Sequence, residues 1–130
     1  MRDKYYERLC QEILGLHPDI RHINIVNCTS GVVEYEYGRA DKPIYLSATI
    51  MEHLRPVWFG ILRGIGDKLG GYWGPVEVLY AKFRRIALYV LPLDLDRIIA
   101  VTVEPDTTID LINKLTAIVD RAAERMSSLV

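Results

Sequence analysis

Residues 74–126, GPVEVLYAKFRRIALYVLPLDLDRIIAVTVEPDTTIDLINKLTAIVDRAAERM, decide how this chain folds. Three apolar runs, PVEVLYAKF, IALYVLPL and IIAVTV, are separated by Arg84-Arg85 and by a polar turn from Asp94 to Arg97. Antiparallel strands can be joined by a few residues, whereas parallel strands need a long crossover, so the spacing predicts an antiparallel meander. The runs are apolar at odd and even positions alike: Val76, Val78 and Tyr80 alternate with Leu79, Ala81 and Phe83, and Ile86, Leu88 and Val90 with Ala87, Tyr89 and Leu91. A sheet wet on one face would carry a polar residue at every second position, so these strands are expected to be covered on both sides, with Glu77 near a rim. After the meander, Ile112, Leu115, Val119, Ala122, Met126 and Leu129 recur at spacings of three and four, the pattern of an amphipathic helix. Asp106, Thr107 and Thr108 supply its N-cap, and Thr107 with Asp110 makes a capping box with a shortened acid.

Upstream, Tyr5, Tyr6, Leu9, Ile13 and Leu14 sit at helical spacing among charged residues and predict a first helix from Asp3 to about Gly15, stopped by Gly15 and Pro18. Ile20 to Thr29 and Val32 to Gly38 read as two strands around a Ser30-Gly31 turn. The alternation of Glu34 and Glu36 with Val33, Tyr35 and Tyr37 marks the second as an edge strand. Asp41 is the candidate cap, and Pro43 the first-turn proline, of a long helix whose apolar positions run from Leu46 through Ile50, Met51, Leu54, Val57, Trp58, Ile61, Leu62 and Ile65 to Leu69. On an ideal helix these cover an arc of roughly 160°, wider than one core contact requires, so something besides the sheet packs on it. Pro56 removes a helical hydrogen bond and clashes with the preceding turn, which predicts a kink or two consecutive helices, and Gly70-Gly71 reads as the stop.

Composition narrows the function classes. At 130 residues, half of them hydrophobic, the chain has the size of a single domain, 1–130. A net charge of −1 with scattered basic residues argues against nucleic acid, whose phosphates demand a clustered basic excess. Lys82, Arg84 and Arg85 are expected to be a solvated hairpin turn. No apolar run approaches the roughly 20 residues of a membrane span. The opening Met1-Arg2-Asp3-Lys4 has no secretory pattern, so a cytoplasmic location is expected, with Cys10 and Cys28 as buried free thiols.

No constellation commits the chain to catalysis. The glycine-rich segment 60–74 has no Walker match, and Gly64-Ile65-Gly66-Asp67-Lys68-Leu69 falls one residue short of GxGxxG, in the reverse of the dinucleotide context. Glu52-His53 lacks the second histidine of a zinc-protease helix. With only His17 and His22 besides, no histidine metal site can be assembled, and His22 reads as a hydrogen-bonded sheet residue. Asp94 and Asp96 could hold a cation, but no further acid follows at loop-ligand spacing. No serine has nucleophile-elbow glycines. No enzyme activity, cofactor or metal is expected.

The element order helix, two strands, long helix, three strands, helix resembles that of the roadblock/dynein light chain domain family. The stretches carrying the likeness are IRHINIVNCTSGVVEYEYG, MEHLRPVWFGILRGIGDKLG and RIALYVLPLDLDRIIAVTVEPDTTIDLI, with GYWGPVEV and VLPLDLD similar to small archaeal members. The resemblance implies an α+β, three-layer sandwich of roadblock/profilin-like type, a five-stranded antiparallel sheet between helices; the two hairpin-spaced strand groups and the two-faced meander predict the strand order 2-1-5-4-3. It further implies a homodimer through the second helix and the strand from Pro75 to Phe83, serving as a non-enzymatic scaffold that binds small Ras-like GTPases. Under that reading the interface comprises Met51, Arg55, Phe59, Leu62, Arg63, Val76, Val78 and Tyr80. Phe59 projects away from the centre of the apolar arc, Arg55 and Arg63 form a polar rim, and Gly60 or Gly64 admits a second backbone. In the alternative for Phe59, the Pro56 kink turns it into the core. The alternative for function is a ligand-sensing or longin/profilin-like adaptor, which an apolar pocket would favour, as an exposed apolar stripe on the second helix would favour a platform.

Overall fold

A computed structural model describes residues 2–41, 48–54, 56–57, 60, 64, 66–106 and 111–128; the side chains of residues 2, 48, 51 and 126–128 lie outside that description. The elements in chain order are helix α1 (Arg2–Leu14), strands β1 (Ile20–Asn27) and β2 (Val33–Gly38), helices α2 (Ala48–His53) and α3 (Gly66–Trp73), strands β3 (Leu79–Lys82), β4 (Ala87–Pro92) and β5 (Arg97–Val103), and helix α4 (Leu111–Ser128). The strands form one antiparallel sheet in the order β2-β1-β5-β4-β3, as the hairpin spacing predicted.

The sheet has apolar side chains on both faces. Toward α1 and α4 it presents Ile23, Ile25, Tyr89, Leu91, Ile99 and Val101, which pack on Tyr6, Leu9 and Ile13 of α1 and on Leu111, Leu115 and Val119 of α4. Toward α2 it presents Val26, Leu88, Val90, Ile98 and Ala100, with Leu54 packed against them. Alternation along each strand sends successive residues to opposite layers, and burial on both is why β4 and β5 read as nearly unbroken apolar runs, while β1, equally buried, also carries Arg21, His22 and Asn24.

Arg39 fastens the first three elements together. Its Nε donates to the Ile20 carbonyl (2.6 Å), and its Nη2 to those of Leu14 (2.7 Å) and His17 (3.0 Å). The last carbonyls of a helix have no partner within it, so one guanidinium at the end of β2 closes α1 and anchors the turn into β1. The β1–β2 connection is longer than the two-residue turn expected from Ser30-Gly31. Asn27 Oδ1 accepts from the Thr29 and Ser30 amides, the Gly31 amide donates to the Asn27 carbonyl, and Gly31 takes φ 81°, a left-handed conformation that glycine adopts without strain.

Three other expectations are corrected. β3 spans four residues rather than the whole of Pro75 to Phe83, and Tyr80, Ala81 and Lys82 in it are exposed, so the sheet is not covered on both faces at this edge. Pro75, which has no amide to give a ladder, and Gly74 at φ 86° stand where the strand was expected to start. Gly70-Gly71 is not the helix stop: α3 runs through both glycines, and the Gly74 amide, bonded to the Gly70 carbonyl at 2.9 Å, ends it. At Pro56 the expected interruption is present. α2 ends at His53, and the Val57 amide reaches back only three residues to the Leu54 carbonyl (2.9 Å), a tighter turn than an α-helix makes. The predicted caps at Pro43 and Thr107 to Asp110 lie outside the described residues.

Candidate interaction surface

Among the described residues β3 is paired on one side only, with β4, and its other edge is open. Four aromatic side chains close in sequence to that strand are exposed: Tyr80 in β3 and Phe83 just after it at 39% and 57%, and Tyr72 and Trp73, closing α3, at 81% and 79%. An exposed large apolar residue is ordinary by itself, but aromatics are enriched at contact surfaces, and here four exposed ones fall between Tyr72 and Phe83. Tyr80 lies across the strand pair from Tyr89, with ring centroids 4.9 Å apart, which fixes the orientation of its ring. On the second helical segment, Leu54 packs into the α2-side core while Ile50 and Val57 are 45% and 50% exposed. Among the described residues the apolar arc is therefore divided between the sheet and the outside.

Of the eight interface residues expected from sequence, Arg55, Phe59, Leu62 and Arg63 lie outside the described residues, as does the side chain of Met51. The choice between an outward and a core Phe59 falls there too. Val76, Val78 and Tyr80 are brought to the β3 edge: Val78 half-buried against the α1–α4 core, Val76 half-buried in the approach to the strand, Tyr80 exposed. Tyr72, Trp73 and Phe83 were missed as surface residues. Tyr72-Trp73 directly before Gly74-Pro75 was the available signal, since an aromatic pair beside a breaker has little helix left in which to turn inward.

The polar side chains form ties within the sheet. Glu34, displaced by a bulge in the β1–β2 ladder, accepts from Arg97 Nε (2.7 Å), the Tyr6 hydroxyl (3.1 Å) and Asn27 Nδ2 (3.3 Å). Burial alone would raise the Glu34 pKa, but the bonds from Arg97 and Asn27, with the Arg97 charge and the Tyr6 hydroxyl, outweigh it and hold the carboxyl below its ordinary value. The bond to Glu34 in turn pushes the Arg97 pKa up. Asp94 is engaged by Arg97 Nη1 and by the amides of Asp96 and Arg97, and Asp96 by Thr29 Oγ1, so this acidic pair is consumed in holding its turn.

The three histidines are each engaged locally. His17 Nδ1 accepts from the Asp19 amide (3.0 Å), His53 Nδ1 sits 2.8 Å from the Thr49 carbonyl, and buried His22 lies 3.0 Å from Glu36 Oε1. Desolvation lowers the His22 pKa against the opposing pull of Glu36. A Cβ on the facing Gly38 would stand 2.5 Å from the His22 ring, so only glycine fits there. Cys10 and Cys28 are buried and in no disulfide, and burial pushes the Cys10 thiol up to about 12. Among the described residues no group of three or more His, Cys, Asp or Glu side chains could hold a metal ion, and no helix is long and apolar enough to cross a membrane.

No family model and no curated protein matches the sequence. Solved structures do match the fold. The gliding protein MglB of Thermus thermophilus aligns over 95% of this chain and 91% of its own, with a TM-score of 0.69 at 14% identity. A roadblock/LC7 domain from Streptomyces avermitilis aligns over 92% and 96%, with a TM-score of 0.65 at 15% identity. An MglB in a tetrameric arrangement aligns over 95% and 88%, with a TM-score of 0.63 at 19% identity. At such identities the likeness is one of fold, and the fold of this chain is that of the roadblock/LC7 domain.

Proposed function

We propose that the chain is a single roadblock-type domain that acts without catalysis, pairing with a second copy through the α2–α3 segment and the open β3 edge to form a platform for a small Ras-like GTPase. The observation that carries this reading is the combination of a roadblock fold with an edge strand, β3, that carries exposed Tyr80 and is bracketed in sequence by exposed Tyr72, Trp73 and Phe83. Aromatic side chains that would otherwise face water favour burial against a partner, and an unpaired strand edge offers backbone groups for it to use. The MglB solved in a tetrameric arrangement supports self-association as a property compatible with this fold. The exposed apolar Ile50 and Val57 favour a protein platform over a ligand-sensing adaptor.

Light scattering coupled to size exclusion tests the reading, with the protein loaded at about 100 µM. The wild type is expected to run as a dimer, and Tyr80→Glu or Phe59→Glu to shift it toward monomer with an unchanged circular dichroism spectrum. A monomeric wild type at that concentration overturns the platform. Binding to Ras-like GTPases is then measured by titration in their GDP and GTP forms, and the platform predicts a preference for one nucleotide state.

A further inference from the structure

The β3–β4 hairpin ends in a cluster of cations. The Phe83 amide donates to the Ile86 carbonyl (2.8 Å) and closes a two-residue loop of Arg84 and Arg85. From Tyr80 to Arg85 every residue is exposed, so the hairpin end projects from the sheet, with Phe83 standing in sequence between Lys82 and the two arginines. From Val78 to Leu93 the chain holds these three cations and no acid.

Two features set this end apart from an ordinary solvated turn. First, its cations are spare. Arg21, Arg39 and Arg97 are engaged by Glu104, by main-chain carbonyls, and by Glu34 with Asp94, whereas Lys82, Arg84 and Arg85 make no ion pair or hydrogen bond with any described residue. Glu104, which follows Val103 opposite Ala87 in the ladder, is held by Arg21 at 3.2 Å. Second, the loop departs from turn chemistry. Two-residue hairpin loops favour Asn-Gly and similar pairs, which take positive φ readily. Here two adjacent arginines occupy those positions, and no described residue other than glycine has positive φ. Like charges side by side repel, so the composition of the loop works against its own stability. A charge that blunts the sheet edge against stray pairing accounts for Lys82, but the arginines lie beyond the last paired residue.

We propose that the end of the β3–β4 hairpin docks on an anionic bilayer surface, with Phe83 entering the boundary between headgroups and acyl chains and Lys82, Arg84 and Arg85 lying among the anionic headgroups. Basic side chains beside an aromatic one on a projecting element suit such a surface, whose charge is diffuse and whose apolar layer lies just beneath it. An acidic protein segment fits less well, because it needs walls to lie along and an unbroken run of exposed residues supplies none. Three cations give a weak, reversible attachment, since firm anchoring takes a second signal. Arg84 and Arg85 lie outside the β3 ladder, so the proposal does not rest on the self-association reading.

The test is co-sedimentation with vesicles at about 5 mM lipid, of phosphatidylcholine alone or with about 30% phosphatidylserine, at low (about 50 mM) and high (about 300 mM) salt. Binding to the anionic vesicles at low salt is expected, at least about tenfold tighter than to the neutral ones and weakened at least about tenfold by Arg84→Gln/Arg85→Gln. Phe83→Gln should weaken it at least about threefold. Both variants change exposed side chains, and their melting curves should match wild type. Scattering should show the double variant in the oligomeric state of wild type, which separates lost lipid binding from lost self-association. Equal binding to the two vesicle types, no binding to anionic vesicles at low salt, binding unaffected by high salt, by the double substitution or by Phe83→Gln, or tighter binding to poly-glutamate than to the vesicles would each overturn the proposal.

Discussion

Replacing Arg97 with methionine keeps the aliphatic stem and removes the guanidinium from the centre of the Glu34 tie. The group makes two charge-assisted bonds, to Glu34 Oε1 at 2.7 Å and to Asp94 Oδ2 at 3.0 Å, and they are unequal. The Asp94 side chain is 33% exposed, so that pair contributes at most about 1 kcal/mol. The Glu34 side chain is only 18% exposed and would keep the neutral donors Tyr6 and Asn27 while losing the Arg97 cation, leaving a carboxylate largely out of water. Losing a charge-assisted bond and stranding its partner sets the cost at about 2–4 kcal/mol. Glu34→Gln in the same background removes the stranded charge, so the double variant should be more stable than the sum of the singles by about 1.5–3 kcal/mol.

Urea unfolding at pH 7, followed by far-ultraviolet circular dichroism on all four proteins, measures the cycle. Acid supplies a second readout. Because the folded Glu34 pKa lies below its ordinary 4.5, its contribution is fully present above that value and is lost as pH falls through the folded pKa. Wild type should therefore lose stability below about pH 4.5 more steeply than Arg97→Met. Additivity within about 0.5 kcal/mol, or parallel acid limbs, would refute the idea that this tie carries stability.

Three further outcomes follow from single sites. Gly38→Ala should lower stability by about 1–3 kcal/mol by chemical denaturation, because the new methyl collides with the His22 ring, and His22→Ala should relieve most of that penalty. The folded His22 pKa is depressed below 6.5, so the unfolded chain binds the proton more readily; the melting temperature should fall as pH drops from about 7 toward the folded pKa, and His22→Phe should flatten that limb. Iodoacetamide at pH 8 should leave Cys10 unmodified until denaturant is added, since the thiol is buried and held to about 12, and peptide mass analysis before and after unfolding checks it.

The neighbours within β1–β2 and β3–β4–β5 were legible because each hairpin is local: Arg84-Arg85 and Asp94–Arg97 are too short for any connection but an antiparallel one, whereas the β1–β5 pairing has no local signal. Two-sided burial was equally legible in β4 and β5. It failed at β3, where Val76 and Val78 look like strand residues, because an apolar side chain records what it packs against and not whether its backbone is in a ladder. The β1–β2 turn was misread for a different reason. Asn27 makes the turn with its side chain and recruits residues that composition alone assigns to strands. The exposed surface of the α2–α3 segment was the least legible part. Pro56 and the surrounding glycines break the periodicity that defines a face, and Tyr72 and Trp73 carry no sign of exposure in their identity. Their position beside Gly74 alone hinted at it. The Glu34–Arg97 tie, between residues 63 apart in sequence, left no spacing signal at all.

The sheet order divides the chain into two blocks that are local in sequence, α1-β1-β2 and β3-β4-β5-α4, stitched along a single seam between β1 and β5 that runs from Ile20↔Val103 to Asn27↔Arg97. The seam is the one place where the chain must bring distant residues together to build the sheet, and the connection from Gly38 to Leu79 is the tether that makes it intramolecular. The entropy of closing such a tether grows only with the logarithm of its length, about 0.6 kcal/mol for a doubling. The length of the tether is consequently a weakly constrained quantity. Insertions or deletions in its connecting stretches would barely disturb the seam, whereas the part that carries Leu54 is held by the sheet face on which it packs.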